Sequence, residues 1–165
     1  MGADGIDFDG VCRVTPATRE DVDALNANMR DADREEVGVL GFSYDDCESA
    51  DGAWAVRIGG DLVCILGTCV LGSQETTLSR ERQLFLLSTN AVWRHKVDYV
   101  RYSRRVASFV LRRMPKWVDK VWSLPMESYG ASIRWQERVL GFVRTGTVEI
   151  NGVRHAVLEL RKGGR

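Results

Sequence analysis

The sequence predicts an α/β (α+β) chain: a mixed, mostly antiparallel sheet flanked by helices, in the order βααβββαβαββ. Three observations carry this. Two hairpin signals, Gly59-Gly60 and Asn151-Gly152, each stand between apolar runs of strand length, and both dipeptides suit the primed turns that match strand twist. A segment at residues 82–89, Arg-Gln-Leu-Phe-Leu-Leu-Ser-Thr, is apolar on both faces, as a central buried strand is. Helical patterns precede the first hairpin, follow this strand, and precede the second hairpin.

Each element has its own local reason. Val11-Cys12-Arg13-Val14 alternates weakly and predicts a short strand. Thr18 with Asp21 three residues later is a capping box, and Val22, Leu25 and Met29 recur at helical spacing, so residues 18–29 form a helix. Residues 31–37 form a second, short helix ended by Gly38 and Gly41; another helical turn is expected over 42–48. Residues 53–58 and 61–70 are the strands of the Gly-Gly hairpin. Residues 72–79 are a polar loop, and 82–89 the central strand. The longest helix is expected over 98–114, with Val100, Ala107, Val110, Leu111 and Met114 on its core face and Arg101, Arg104, Arg105 and Arg112 opposite. Pro115 stops it. Residues 118–124 are a strand. Residues 128–140 are an amphipathic helix with Gly141 as its C′ residue and Phe142 folded back near Val139 or Ile133. Residues 143–150 and 153–160 form the closing hairpin. No repeat or low-complexity linker interrupts the chain.

Composition narrows the class. The chain has 165 residues, 44% hydrophobic and 28% charged, in the range of a soluble globular protein. Residues 1–10 are expected to be a mobile acidic tail and 11–161 a single domain. No apolar run reaches the roughly 20 residues of a membrane span, and the acidic start lacks the pattern of a secretory signal. Gly2 has the position of a myristoylation site, but Ile6 stands where that motif takes Ser or Thr. The cysteines Cys12, Cys47, Cys64 and Cys69 form no C-x-x-C pair, and His95 and His155 are distant from them. Zinc spacing is therefore absent, and reduced, structural thiols are expected. The net charge is zero but uneven: −10 over residues 1–51 and +7 over 94–120, which bears on partners.

The element order, the Gly-Gly hairpin, the central strand running into a basic helix, and Ser132-Ile133-Arg134-Trp135 followed by Leu140-Gly141-Phe142 resemble the GNAT acetyltransferase superfamily over about residues 11–161. More narrowly, three segments are similar to acetyltransferase-like internal virion or core proteins of short-tailed phages and prophages. They are residues 15–22 (Thr-Pro-Ala-Thr-Arg-Glu-Asp-Val), 29–37 (Met-Arg-Asp-Ala-Asp-Arg-Glu-Glu-Val) and 86–89 (Leu-Leu-Ser-Thr). That resemblance implies a virion, assembly or interaction protein, cytoplasmic in a host cell or inside the virion and not secreted. The broader resemblance implies an acetyl-coenzyme A-dependent N-acyltransferase.

The two readings divide at one junction. Active GNAT members carry a glycine-rich loop after the central strand, and this chain has no glycine from Ser73 to Tyr129. The positions corresponding to that loop's motif are Val97, Val100 and Tyr102, and Glu137 stands where many members have a tyrosine that protonates the thiolate. Glycine permits the close backbone approach that a pyrophosphate needs. The leading expectation is accordingly a scaffold without standard acetyltransferase activity and without a cofactor, acting through a protein partner. Nucleic acid is the weaker partner, because the acidic first third repels phosphate. In the alternative, acetyl-coenzyme A is bound by a divergent loop, with Asn90, Val92, Arg94, Lys96 and Arg101 as its candidate residues and charge-assisted bonds from the basic ones replacing backbone amides. The arginine face of the long helix suits phosphates or carboxylates. His95 is a candidate base only with an orienting partner; Glu137 is another. Trp117, Trp122 and Trp135 are expected in the core.

Overall fold

The computed structural model describes residues 5–41, 52–69 and 80–161. Two expectations, the helical turn over 42–48 and the loop over 72–79, lie outside the described residues. Among the described residues, eight strands form one sheet in the order β1-β2-β3-β4-β5-β6-β8-β7. These are β1 (Ile6–Phe8), β2 (Cys12–Pro16), β3 (Ala53–Ile58), β4 (Asp61–Cys69), β5 (Glu81–Ser88), β6 (Lys120–Ser123), β7 (Val143–Ile150) and β8 (Val153–Arg161). Every neighbouring pair is antiparallel except β5 with β6. The expected order is present, with one strand added. Residues 6–8, placed by the sequence in a mobile tail, pair with β2 across Asp9 and Gly10. Phe8 is the reason: it is buried and stacks on Tyr102.

Helices cover both faces. On one side lie α1 (Arg19–Asn28) and α2 (Asp31–Leu40). Thr18 caps α1, with Asp21 returning the bond to the Thr18 amide, as the capping box requires. Val22, Leu25 and Met29 pack on Ile65, Phe85 and Leu87. Helix α2 runs through Gly38 and ends at Gly41, whose φ of 63° is left-handed. On the opposite face lie α3 (Lys96–Arg113) and α4 (Gly130–Trp135), over a core that includes Leu84, Phe109 and Leu158. Cys12, Cys64 and Cys69 are buried free thiols, and burial pushes the Cys12 thiol up to about 11. Trp117, expected in the core, is exposed. Val100, expected on the core face of α3, is 59% exposed, because the buried stripe runs through Tyr102, Val106, Phe109 and Val110 instead.

The end of α4 departs from a regular helix. From Gln136 to Leu140 the turn widens into a π-helical segment. Gly141 closes it at φ 81°, and the Gly141 and Phe142 amides both donate to the Gln136 carbonyl. Phe142 is buried with Ile133. A Cβ at Gly141 would meet nothing within 4 Å, so substitution there tests the backbone alone. Gly141→Val is expected to cost about 1–2 kcal/mol from the left-handed conformation, and Gly141→Asn less. Equal unfolding midpoints for the two variants would show that position 141 does not need a left-handed backbone.

Candidate functional site

The sheet splits where β5 and β6, its one parallel pair among the described residues, come apart. β5 and β6 pair at Glu81–Lys120, Arg82–Val121 and Gln83–Trp122. β6 then ends at Ser123, while β5 continues to Ser88. Along that edge of β5, from Leu84 onward, no strand pairs among the described residues. The far end of the gap is closed by the start of α2. The Arg30 amide donates to the Ser88 carbonyl at 2.9 Å, and the Ser88 amide donates to Asp33 Oδ2 at 3.0 Å. Arg30 Nε and Nη2 also donate to the Asp33 carboxylate at 3.0 and 2.9 Å, a forked ion pair of fixed geometry.

A cavity of about 80 Å³ occupies this gap, lined among others by Asp33, Glu36, Gln83, Ser123, Tyr129 and Gln136. β5 lines it along Gln83 to Leu87, at the open edge where both faces meet the gap. Phe85 and Leu87 face α1, and Leu84 faces α3; Gln83 shares the face of Phe85. Glu36 Oε1 accepts the Met126 amide at 3.2 Å. Burial, and then the charge on Asp33, push the Glu36 carboxyl from 4.5 up to about 7. Tyr129 Oη donates to Glu35 Oε2 at 2.7 Å; burial and that bond push the phenol up to about 12, so it keeps its proton. Ser123 Oγ donates to Gln136 Oε1, which the widened π turn brings over β6. Gln83 is buried, and its Oε1 has no hydrogen-bond partner.

The junction expected to hold a cofactor lies beyond Ser88. Residues Asn90–Trp93 form a single 3-10 turn. Thr89 Oγ1 accepts the Ala91 amide at 3.2 Å and donates to the Leu62 carbonyl at 2.6 Å. The residues from 89 to 96 all keep negative φ. The sequence argument for missing chemistry assumed a turn that needs glycine; this turn does not. Asn90 is exposed, and Val92 is buried with its amide held by the Thr89 carbonyl. Arg94 pairs with Asp61 at 3.1 Å, and His95 Nε2 meets the same carboxylate at 2.7 Å. Hydrogen bonds from the His95 ring and the Arg94 guanidinium hold Asp61 below the usual carboxylate range. Lys96 is exposed at the start of α3, whose N-terminus has no side-chain cap. The first-turn amides of Lys96, Val97 and Asp98 therefore face outward without helical partners. Val97 is 73% exposed, as is Trp93 to 61%, and Arg30 lies over the Trp93 ring at 5.9 Å.

The arginine face of α3 is partly used within the chain. Arg101 lies over the Tyr102 ring, and Arg105 covers the Phe8 ring and pairs with Asp9 at 2.9 Å. Glu137 is half-buried and does not line the cavity. Among the described residues, no cluster of His, Cys, Asp or Glu could hold a metal ion, and no helix is long and apolar enough to cross a membrane.

Sequence reasoning passed over Glu36, Gln83 and Tyr129. A signal existed for the first two. Asp33, Val37 and Leu40 stand at i, i+4 and i+7, so Asp33 and Glu36 are acids on the apolar face of α2. Gln83 is an uncharged polar residue in a strand otherwise apolar on both faces.

No family model matches the chain, and no curated protein matches it. Solved structures do. A structure of the aminoglycoside acetyltransferase AAC(6')-Ib with coenzyme A aligns with 92% of this chain and 95% of its own, at 18% identity and a TM-score of 0.62. An N-acetyltransferase from Staphylococcus aureus Mu50 aligns with 91% of this chain and 98% of its own, at 13% identity and a TM-score of 0.63. A structure of AAC(6')-Ib with ribostamycin and coenzyme A gives 20% identity and a TM-score of 0.52. There the chain spans 64% of that structure's length. These likenesses are of fold. They correct the expectation of a protein without a cofactor, since structures of this fold that the chain matches hold coenzyme A. The phage and virion role gains no support from them.

Proposed function

We propose, from a chain that has the GNAT acetyltransferase fold, that it is an acetyl-coenzyme A-dependent N-acyltransferase with a divergent phosphate-binding loop. The observation that carries this is the Glu36 carboxyl. It lines the gap between the two parallel strands and titrates near neutrality, which is where a general base works best.

The residues present fit coenzyme A on two counts. The edge of β5 between Gln83 and Ser88, which no strand pairs among the described residues, is open to an amide-bearing arm, and the uncapped start of α3 offers N–H groups to phosphate. The exposed Lys96 adds a cation there; Arg94, committed to Asp61, adds less. When bound, acetyl-coenzyme A supplies the acetyl group as an activated thioester. The chain's own part is to hold the acceptor amine, take its ammonium proton on Glu36, and exclude water with α2. The forked Arg30–Asp33 pair and the Ser88 amide fix α2 over the gap.

Isothermal titration with acetyl-coenzyme A tests this. A dissociation constant on the order of 1–100 μM is expected, within the usual range of enzyme–substrate affinity. Lys96→Glu should weaken it. No heat of binding at about 1 mM would overturn the reading.

A further inference from the structure

We propose that Gln83 and Glu36 form a seat for the ammonium end of a primary amine on a slender apolar stem, and that Gln83 selects this acceptor. The inference rests on the N-acyltransferase reading and adds its substrate class.

Gln83 is 3% exposed, and its Oε1 is buried with no partner. A buried acceptor left unpaired is destabilising, so its place in an otherwise apolar strand asks for a donor from outside the chain. Glu36 lines the same cavity, and the Met126 amide occupies only one of its oxygens. The two groups together ask for a ligand with at least two N–H donors. A hydroxyl brings one. A carboxylate ligand brings none and is repelled by Asp33 and Glu36. A primary ammonium brings three, enough for both side chains.

The remaining walls set the stem. Val37, Leu40, Phe85 and Leu87 line the cavity, and they suit methylene groups. A volume of about 80 Å³ is several times the roughly 10–15 Å³ that one buried water needs, room for an ammonium and its first methylene groups. An unbranched carbon beside the nitrogen is the expected fit.

The chemistry balances with no further reactant. The ammonium gives one proton to Glu36. The freed nitrogen forms the new C–N bond as the C–S bond of the thioester breaks. The second amine proton ends on the departing thiolate, leaving an N-alkylacetamide and free thiol.

The test compares wild type with Gln83→Met, which keeps the side-chain volume and removes the polar atoms. The probes are n-butylamine and 1-butanol, with sec-butylamine as the branched control. Wild type should acetylate n-butylamine, leave butanol untouched, and shift the Gln83 side-chain amide resonances on amine titration. Gln83→Met should raise KM for n-butylamine about tenfold or more, the loss of one hydrogen bond to a charged group. Its affinity for acetyl-coenzyme A should not change. Its thermal midpoint should stay level or rise, because an unpaired buried acceptor is gone. An unchanged KM, or a fall in midpoint with KM unchanged, overturns the proposal and leaves Gln83 a structural residue. If wild type binds acetyl-coenzyme A but turns over no amine of this class, the acceptor assignment fails while the cofactor reading stands. If it does not bind acetyl-coenzyme A, both fail.

Discussion

Glu36→Gln is expected to lower kcat/KM for an amine acceptor by about 10²–10⁴-fold, the usual worth of a positioned general base, while acetyl-coenzyme A binding is unchanged. The glutamine still accepts the Met126 amide, so the wall of the cavity survives. The wild-type rate should fall as pH drops through about 7, where Glu36 takes up its proton. Stability should move the other way. Folding raises the Glu36 pKa from 4.5 to about 7, so the folded protein binds this proton more tightly than the unfolded chain. The contribution of the protonated carboxyl is full below about pH 4.5 and is lost as pH rises through about 7. Above that pH the wild type buries a charge that the variant does not. Glu36→Gln should therefore be more stable at pH 8, by on the order of 2 kcal/mol for a partly exposed carboxyl, and equal at pH 4. Activity within a few-fold of wild type, or reduced stability at pH 8, would remove Glu36 from the role of base.

Asp33→Ala is expected to be the most destabilising single change in the site. The Asp33 side chain is 5% exposed, takes both donors of the Arg30 fork, and accepts the Ser88 amide. Removing it leaves a partly buried guanidinium and a buried amide unmatched. Breaking such a pair from one side costs about 3 kcal/mol, measured by chemical denaturation at neutral pH. Asp33→Asn keeps an acceptor for the Ser88 amide and should cost less. Both changes also act on Glu36. The Asp33 charge raises the Glu36 pKa, and the Arg30 charge lowers it and remains, so loss of the Asp33 charge lowers it. The acid limb of the pH–rate profile should move to lower pH in Asp33→Asn. A variant of wild-type stability with an unmoved acid limb would show that Asp33 neither anchors α2 nor tunes Glu36.

Much of the fold is legible in local chemistry. Thr18 and Asp21 announce α1 because a capping box is completed within four residues of chain. Gly59-Gly60 and Asn151-Gly152 announce their hairpins because their positive φ values are a property of those residues. Gly141 announces the end of its helix for the same reason. The misreadings also have local causes. Phe8 looked like part of an acidic tail because its partners, Tyr102 and Arg105, are remote in sequence. Val100 looked like a core residue because the stripe of α3 has apolar residues on more than one side.

The candidate site was the least legible part. The junction after β5 drew attention because a familiar pattern is missing there, yet a 3-10 turn capped by Thr89 makes the same crossing without glycine. The groups that meet in the cavity come from α2, β5, β6 and α4, and none is adjacent in sequence to another except through Asp33 and Glu36 on one helix face.

The sequence by itself determined most of the helices and strands and their order, β1 excepted, because caps, turns and hydrophobic period act over a few residues. Only the tertiary structure decided that β5 and β6 part after Gln83, that α2 lies across the gap, and that Glu36 and Gln83 face one small cavity. A carboxyl that titrates near 7 and an acceptor without a donor are products of desolvation by residues far along the chain, and that desolvation exists only once the sheet and its helices have packed.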